Sequence, residues 1–274
     1  MRTPLALPAL LAILVATASA AAAPTPAEID ALADAAAKGR AIATLNDEMD
    51  QGFGDTTAEL EMVLTNASGD ESRRTLRIAT LEVPDPQDGD KTLVTFDEPR
   101  DVKGTALLTF AHIAEADDQW LFLPALKRVK RISSKNKSGP FVGSEFAYED
   151  FAAQELEKYT YRWLRDEPCG DLACWVIERV PTYEFSGYTR QVVWMDRTDV
   201  QPRRIEFYDR KGDLLKTLTL GDYRRYLDQH WRAHDLFMEN HQTGKTTRLT
   251  WSAFEFRSGL GESDFTQASL KRAR

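Results

Sequence analysis

The sequence predicts a mainly β protein: one long, strongly curved antiparallel sheet with an N-terminal helix and two short helical pieces. Three observations carry this. From about residue 57 the hydrophobic period becomes two, as in 57–65 (TAELEMVLT), where Ala58, Leu60, Met62 and Leu64 share one face and Glu59 and Glu61 the other. Turn chemistry recurs between such runs, at 66–70 (NASGD), 87–90 (QDGD), 210–213 (RKGD) and 242–245 (QTGK). Too little helical pattern separates the runs for a parallel α/β fold. There is no internal repeat, and no linker marks a second domain.

Residues 1–20 read as a cleaved signal peptide: Arg2, an apolar run over 5–15, and Ala18-Ser19-Ala20 as the cleavage pattern, with Ala23 as the alternative cut. No cysteine lies near the cut, so residues 21–274 are expected as one exported domain that is not itself a lipoprotein. Thr25-Pro26-Ala27-Glu28 resembles a capping box with proline in the first turn. One long helix should follow, with Ile29, Leu32, Ala36, Ile42 and Leu45 inward, Gly39 weakening its middle, and an end before Gly52. Strands are expected at 57–65, 73–78, 91–97, 103–111, 118–123, 126–132, 156–165, 173–180, 188–195, 203–209, 214–222, 230–239 and 246–256. The acidic, proline-rich stretch 82–90 reads as an exposed connection. Short helices are expected around 148–156 and 265–271.

The formal charge of −8 argues against nucleic acid as a partner. No later segment approaches the roughly 18 apolar residues of a membrane span. Cys169 and Cys174 flank Gly170-Asp171, and in an oxidising compartment this spacing favours a disulfide at a hairpin neck. A redox pair would have two intervening residues, and a zinc site would need more ligands.

Catalytic chemistry is sparse. His230 and His234 have the spacing of a helical zinc pair, but Trp231 replaces the glutamate and the surroundings read as strand. On a strand, positions four apart lie about 13 Å from one another and cannot share a metal. The two are expected as half-exposed sheet histidines. Gly143-Ser144 does not build a nucleophile elbow. The adjacent carboxylates Asp117-Asp118 and Glu149-Asp150 would point to opposite faces of a strand. No phosphate loop or calcium loop is present, so the expectation is no enzyme, no cofactor and no metal.

Aromatic surface is plentiful, with six Trp, eight Tyr and thirteen Phe. Tyr159, Tyr161 and Trp163 alternate on one face of a strand, and Trp120 and Phe122 on one face of another. Such rings build an ordinary core or line a ligand cavity. The segment 117–133 (DDQWLFLPALKRVKRIS) joins an apolar ladder to Lys127, Arg128, Lys130 and Arg131. As a hairpin turned at Pro124-Ala125, Trp120 and Phe122 would face a cavity, with Leu121 and Leu123 on the other side. The cations would form part of its rim or an outer face. No acidic residue occurs over 119–144, so in this acidic chain the segment is a local positive patch. Lys and Arg there protect a strand edge, dock an acidic partner or lipid head groups, or do both.

Phe96-Asp-Glu-Pro99, Lys103-Gly104-Thr105, the run 118–132 and 141–150 (FVGSEFAYED) occur in that order. Together they resemble the outer-membrane lipoprotein-sorting protein family, whose fold is similar to the periplasmic carriers LolA and LolB. The resemblance implies an unclosed barrel of about eleven antiparallel strands with a helical lid over an apolar cavity for acyl chains. On that basis the expected lining is Leu60, Met62, Leu64, Phe96, Trp120, Phe122, Phe146, Tyr148, Phe151, Tyr161 and Trp163. The expected partner-binding residues are Lys127, Arg128, Lys130 and Arg131. The implied function is a periplasmic, monomeric carrier of lipid or lipoprotein acyl chains with transient membrane-surface contact. It would work with an RND-type inner-membrane exporter or an outer-membrane acceptor. The alternative is a sensor or accessory protein resembling RseB, acting through protein contacts. RseB carries a second domain after the barrel, and this chain ends before one, so that reading ranks second.

Overall fold

The computed structural model describes residues 23–85 and 87–272. The signal peptide expected over 1–20 lies outside the described residues. Two helices open the described chain, α1 (Pro26–Ala31) and α2 (Ala35–Asp50). The capping box forms as expected: the Thr25 hydroxyl accepts from the Glu28 amide, and the Glu28 carboxylate accepts from the Thr25 amide. The single long helix expected is broken at Leu32–Asp34, where Asp34 caps α2 by accepting from the Ala37 amide at 2.7 Å. An aspartate that can bond a free N-terminal amide ends one helix and starts the next. Ile29, Ile42 and Leu45 are buried as expected, whereas Leu32 is 38% exposed at the break.

Thirteen strands follow, matching the thirteen expected segments. They are β1 (Asp55–Thr65), β2 (Glu71–Leu81), β3 (Asp88–Glu98), β4 (Ala106–His112), β5 (Asp118–Leu123), β6 (Arg128–Ile132) and β7 (Tyr159–Cys169). Then come β8 (Leu172–Pro181), β9 (Arg190–Asp196), β10 (Pro202–Tyr208), β11 (Leu214–Tyr226), β12 (His230–Asn240) and β13 (Thr246–Phe256), and α3 (Gln267–Arg272) ends the described chain. They form one antiparallel sheet in the order β6-β5-β4-β3-β2-β1-β13-β12-β11-β10-β9-β8-β7. Consecutive strands pair throughout, except β6 and β7. The β1–β13 pairing joins the first strand to the last, so the sheet rolls up and opens only between β6 and β7. Register shifts at Glu59/Leu60 and Trp163/Arg165 supply bulges of the kind that let a sheet coil. The resemblance implied about eleven strands; the unclosed architecture is as expected.

The inner face carries the main apolar cluster, including Leu60, Met62, Leu76, Val94, Phe96, Leu107, Leu121, Trp175, Ile177 and Met238. Two smaller clusters lie on the outer face. One joins Ala106, Leu108, Trp120 and Phe122 to Phe265 and Leu270 of the C-terminal segment. The other groups Val176, Val192 and Trp194 beside the Cys169–Cys174 disulfide.

Each open edge is handled differently. Helix α2 lies against β7, and Gly39 is the contact point. A Cβ there would stand 2.7 Å from the backbone of Arg162 and Trp163. Gly39 therefore has a packing role that outweighs its cost to the helix. Edge strand β6 exposes Arg128, Lys130 and Arg131, charges that discourage pairing with another chain.

Candidate functional site: the sheet interior and its plug

Residues 133–158 connect the two open edges, and they turn inward as a plug of short 3-10 turns. Its only strand-like pairing among the described residues is the isolated bridge between Pro140 and Ala147. Left-handed Val142 and Gly143 bend the chain between them. The plug drives Phe141, Phe146, Tyr148 and Phe151 against the inner wall. Phe141 is fully buried, with ring centroids 5.6 Å from Phe96, 5.6 Å from Tyr148 and 4.3 Å from Phe151. Phe146 lies 5.8 Å from Phe151. The expected apolar interior is therefore present, and the plug's own rings fill it.

Polar side chains from the wall tie the plug down. Lys216 on β11 is 3% exposed; its ammonium donates to Asp150 Oδ2 at 2.6 Å and to the Glu145 carbonyl at 2.9 Å. Asp150 also accepts from the Tyr188 hydroxyl at 2.8 Å and the Ala147 amide at 2.7 Å. Glu145 accepts from the Asn240 amide side chain at 2.6 Å, and its own amide donates to Thr247 Oγ1 at 3.0 Å. Gln119 donates to the Tyr148 carbonyl at 2.9 Å, and Arg74 to the Val142 carbonyl at 2.5 Å. Glu149 points to the β8–β9 connection, accepting from Tyr183, Ser186 and the Gly187 amide at 3.1, 3.0 and 2.8 Å. Burial pushes the Glu149 carboxyl above the usual range, the Asp150 charge adds to it, and these hydrogen bonds oppose it. Adjacent Glu149 and Asp150 thus do point apart, but in a 3-10 turn, each to its own anchor.

At the far end of the plug, Lys137 and Lys158 both converge on Asp117. Burial lowers the pKa of Lys137 and the Asp117 charge opposes this. These three residues, with Glu149 and Tyr183, border a solvent-open recess of about 450 Å³. A second open recess of about 560 Å³ lies by the β1–β2 and β12–β13 turns, beside Gly143 and Glu145.

The structure brings nine of the eleven expected lining residues together. Leu60, Met62, Phe96 and Phe146 are buried in the main cluster, and Leu64, Tyr148, Phe151, Tyr161 and Trp163 pack against it. Trp120 and Phe122 are the exceptions. They face outward into the cluster under α3, while Leu121 and Leu123 face the interior. The alternation carries no sign here because both faces of β5 are covered. Sequence reasoning also missed Leu107, Trp175 and Ile177 of the inner wall and Phe141 of the plug.

His230 and His234 are 2% and 1% exposed, so they are buried rather than half-exposed. His234 bonds the Tyr226 hydroxyl at 2.8 Å, and His230 stacks on Phe256. Among the described residues, no group of three or more His, Cys, Asp or Glu side chains is arranged to hold a metal. No helix of the described residues is long and apolar enough to cross a membrane.

Lys127, Arg128, Lys130 and Arg131 are all exposed. Arg131 pairs with Asp118 across the outer face. Arg128 and Lys130 share the inward-facing side of the edge strand with buried Ile132.

A family model described as "Uncharacterized protein" matches residues 88–272. No curated protein matches. Among solved structures, the chain is similar to an outer membrane lipoprotein-sorting protein domain from Vibrio parahaemolyticus. That match has 55% identity and a TM-score of 0.84, covering 86% of this chain and 100% of that one. It is also similar to a DUF1329 family protein from Desulfovibrio piger, at 27% identity and a TM-score of 0.82, covering 86% and 99%. A LolA superfamily protein from Nitrosomonas europaea shares the fold, at 21% identity and a TM-score of 0.68, covering 84% and 98%.

Proposed function

Because the chain belongs to the outer-membrane lipoprotein-sorting protein family, whose fold is LolA-like, we propose that it is a non-catalytic periplasmic carrier. It encloses acyl chains of a lipid or lipoprotein between the curved sheet and the plug. It passes them between envelope partners, an RND-type inner-membrane exporter or an outer-membrane acceptor. The observation that carries this reading is the plug's placement. Four aromatic side chains of a segment outside the sheet occupy the inner face.

The energetics suit an exchange. Each full burial of a large apolar side chain is worth about 1.5–3 kcal/mol, so buried Phe141 and Phe146 with half-buried Tyr148 and Phe151 hold about 4–9 kcal/mol. An acyl chain of about fifteen methylenes gains about 12 kcal/mol on leaving water. The two terms are of one size, so an incoming chain can offset the cost of lifting the plug. Lys216 and Asn240 then remain at the wall, where they can reseat Asp150 and Glu145 of the plug after release. Breaking the buried pair of Lys216 and Asp150 in isolation would be strongly unfavourable, so a plug that lifts must bring water to the charges.

The test is native mass spectrometry of protein released gently from the envelope, with delipidated protein plus long-chain phospholipid as a second arm. A bound acyl lipid in either arm is expected. Protein that stays at its bare mass in both arms, with no shift in tryptophan fluorescence on lipid addition, overturns the reading.

A further inference from the structure

The β5–β6 turn differs from the other turns of the sheet. Leu126 is 62% exposed, against 38% for Leu32 and 46% for Leu227, the other exposed large apolar side chains among the described residues. Leu227 sits among Arg224, Arg225, Asp222 and Asp228, a mixed set of charges. Leu126 is followed by Lys127, Arg128 and Lys130, and no acidic residue occurs between Gln119 and Ser144. Lys127, Arg128 and Lys130 are exposed and have no ion pair with any described residue. The turn itself is built. Pro124 opens a 3-10 turn, left-handed Lys127 closes it by donating its amide to the Pro124 carbonyl at 3.0 Å, and Leu123 pairs with Arg128 across the neck. Leu126 is therefore held out by a fixed backbone. Pairing of β4 with β5 puts the β3–β4 turn at the same end of the sheet. It adds exposed Arg100 and Lys103, along with Asp101.

We propose that this tip docks on an anionic lipid surface, with Leu126 entering the interface and Lys127, Arg128 and Lys130 on the head groups. A protruding aliphatic group ringed by cations matches the chemistry of a membrane interface. A protein hot spot would more typically present an aromatic anchor in a packed patch, and the aromatics of this hairpin, Trp120 and Phe122, lie packed with the α3 segment. β6 begins at this tip and borders the opening of the sheet, and the plug departs from its opposite end. Docking thus holds the opening beside the bilayer. That last consequence rests on the carrier reading; the docking stands on the tip alone.

The experiment is flotation with vesicles of phosphatidylcholine, with and without 30% phosphatidylglycerol, at low and moderate salt. The wild type should float with the anionic vesicles only, and less at moderate salt. Replacing Lys127, Arg128 and Lys130 together by Gln should weaken binding about a hundredfold, at roughly fivefold per cation. Leu126→Ser should also weaken it while leaving the salt dependence in place. Both variants change exposed side chains and should unfold at the wild-type temperature. Wild-type protein that ignores the anionic vesicles, or variants that bind as well as wild type, overturn the proposal; so does wild-type protein that binds an acidic peptide and not the vesicles. Vesicle binding without any co-purified lipid would count against the carrier reading and leave the docking intact.

Discussion

Asp90 on β3 carries the clearest electrostatic strain. Burial pushes its carboxyl up to about 7, the nearby Glu155 and Glu82 charges add to this, and the Val83 amide opposes it with a 3.1 Å hydrogen bond. The folded chain therefore holds a proton that the unfolded chain releases at about pH 4. The stability this confers is fully present below about pH 4 and is lost as pH rises through about 7. Asp90→Asn cannot ionise and keeps the acceptor for Val83. It should raise the melting temperature at pH 8 by about 4 °C and leave it unchanged at pH 4. Thermal unfolding at the two pH values checks this; an equal shift at both would contradict it. Glu155 belongs to the plug, and burial raises its carboxyl too, so high pH also loosens the plug's far end against β3. None of this was visible in the sequence, where 82–90 reads only as an exposed acidic connection.

At the scale of elements, Gly39 shows how a local rule is overruled. Helix propensity marks it as a weakness, but the close approach of α2 to the β7 backbone requires it. Gly39→Ala should therefore destabilise the protein, by about 1–3 kcal/mol, although alanine is the better helix former. Chemical denaturation checks the sign; a gain in stability would show that the helix does not need the contact. The strands were legible because the period of two and the Gly-containing turns both mark them. Strand β5 was legible as an element but not in its orientation. Its run Trp120-Leu-Phe-Leu123 is apolar on both faces because the interior covers one and the α3 segment the other. A period of two gives no sign when neither face meets water. The plug was the least legible piece. Its buried Phe141 and its anchors Asp150 and Glu145 are held by contacts from β3, β11, β12 and β13, which no local pattern encodes.

For the whole molecule, the meander of paired neighbours and the β1–β13 seam leave one opening, between β6 and β7. Three features gather there: the plug, helix α2 on one edge and the basic strand on the other. The apolar ladder and basic half of the β5–β6 hairpin are thus not in conflict. One covers both faces of a wall strand, and the other lines the free edge and the projecting turn. On the carrier reading, the plug and an acyl chain compete for one inner face. Hydrogen exchange followed by mass spectrometry, on delipidated protein with and without a long-chain phospholipid, tests it most directly. Lipid should speed exchange across 133–158, while the paired strands β1, β2 and β13 stay protected or gain protection. Lipid that binds yet leaves the plug's exchange unchanged, or slows it, would contradict the claim.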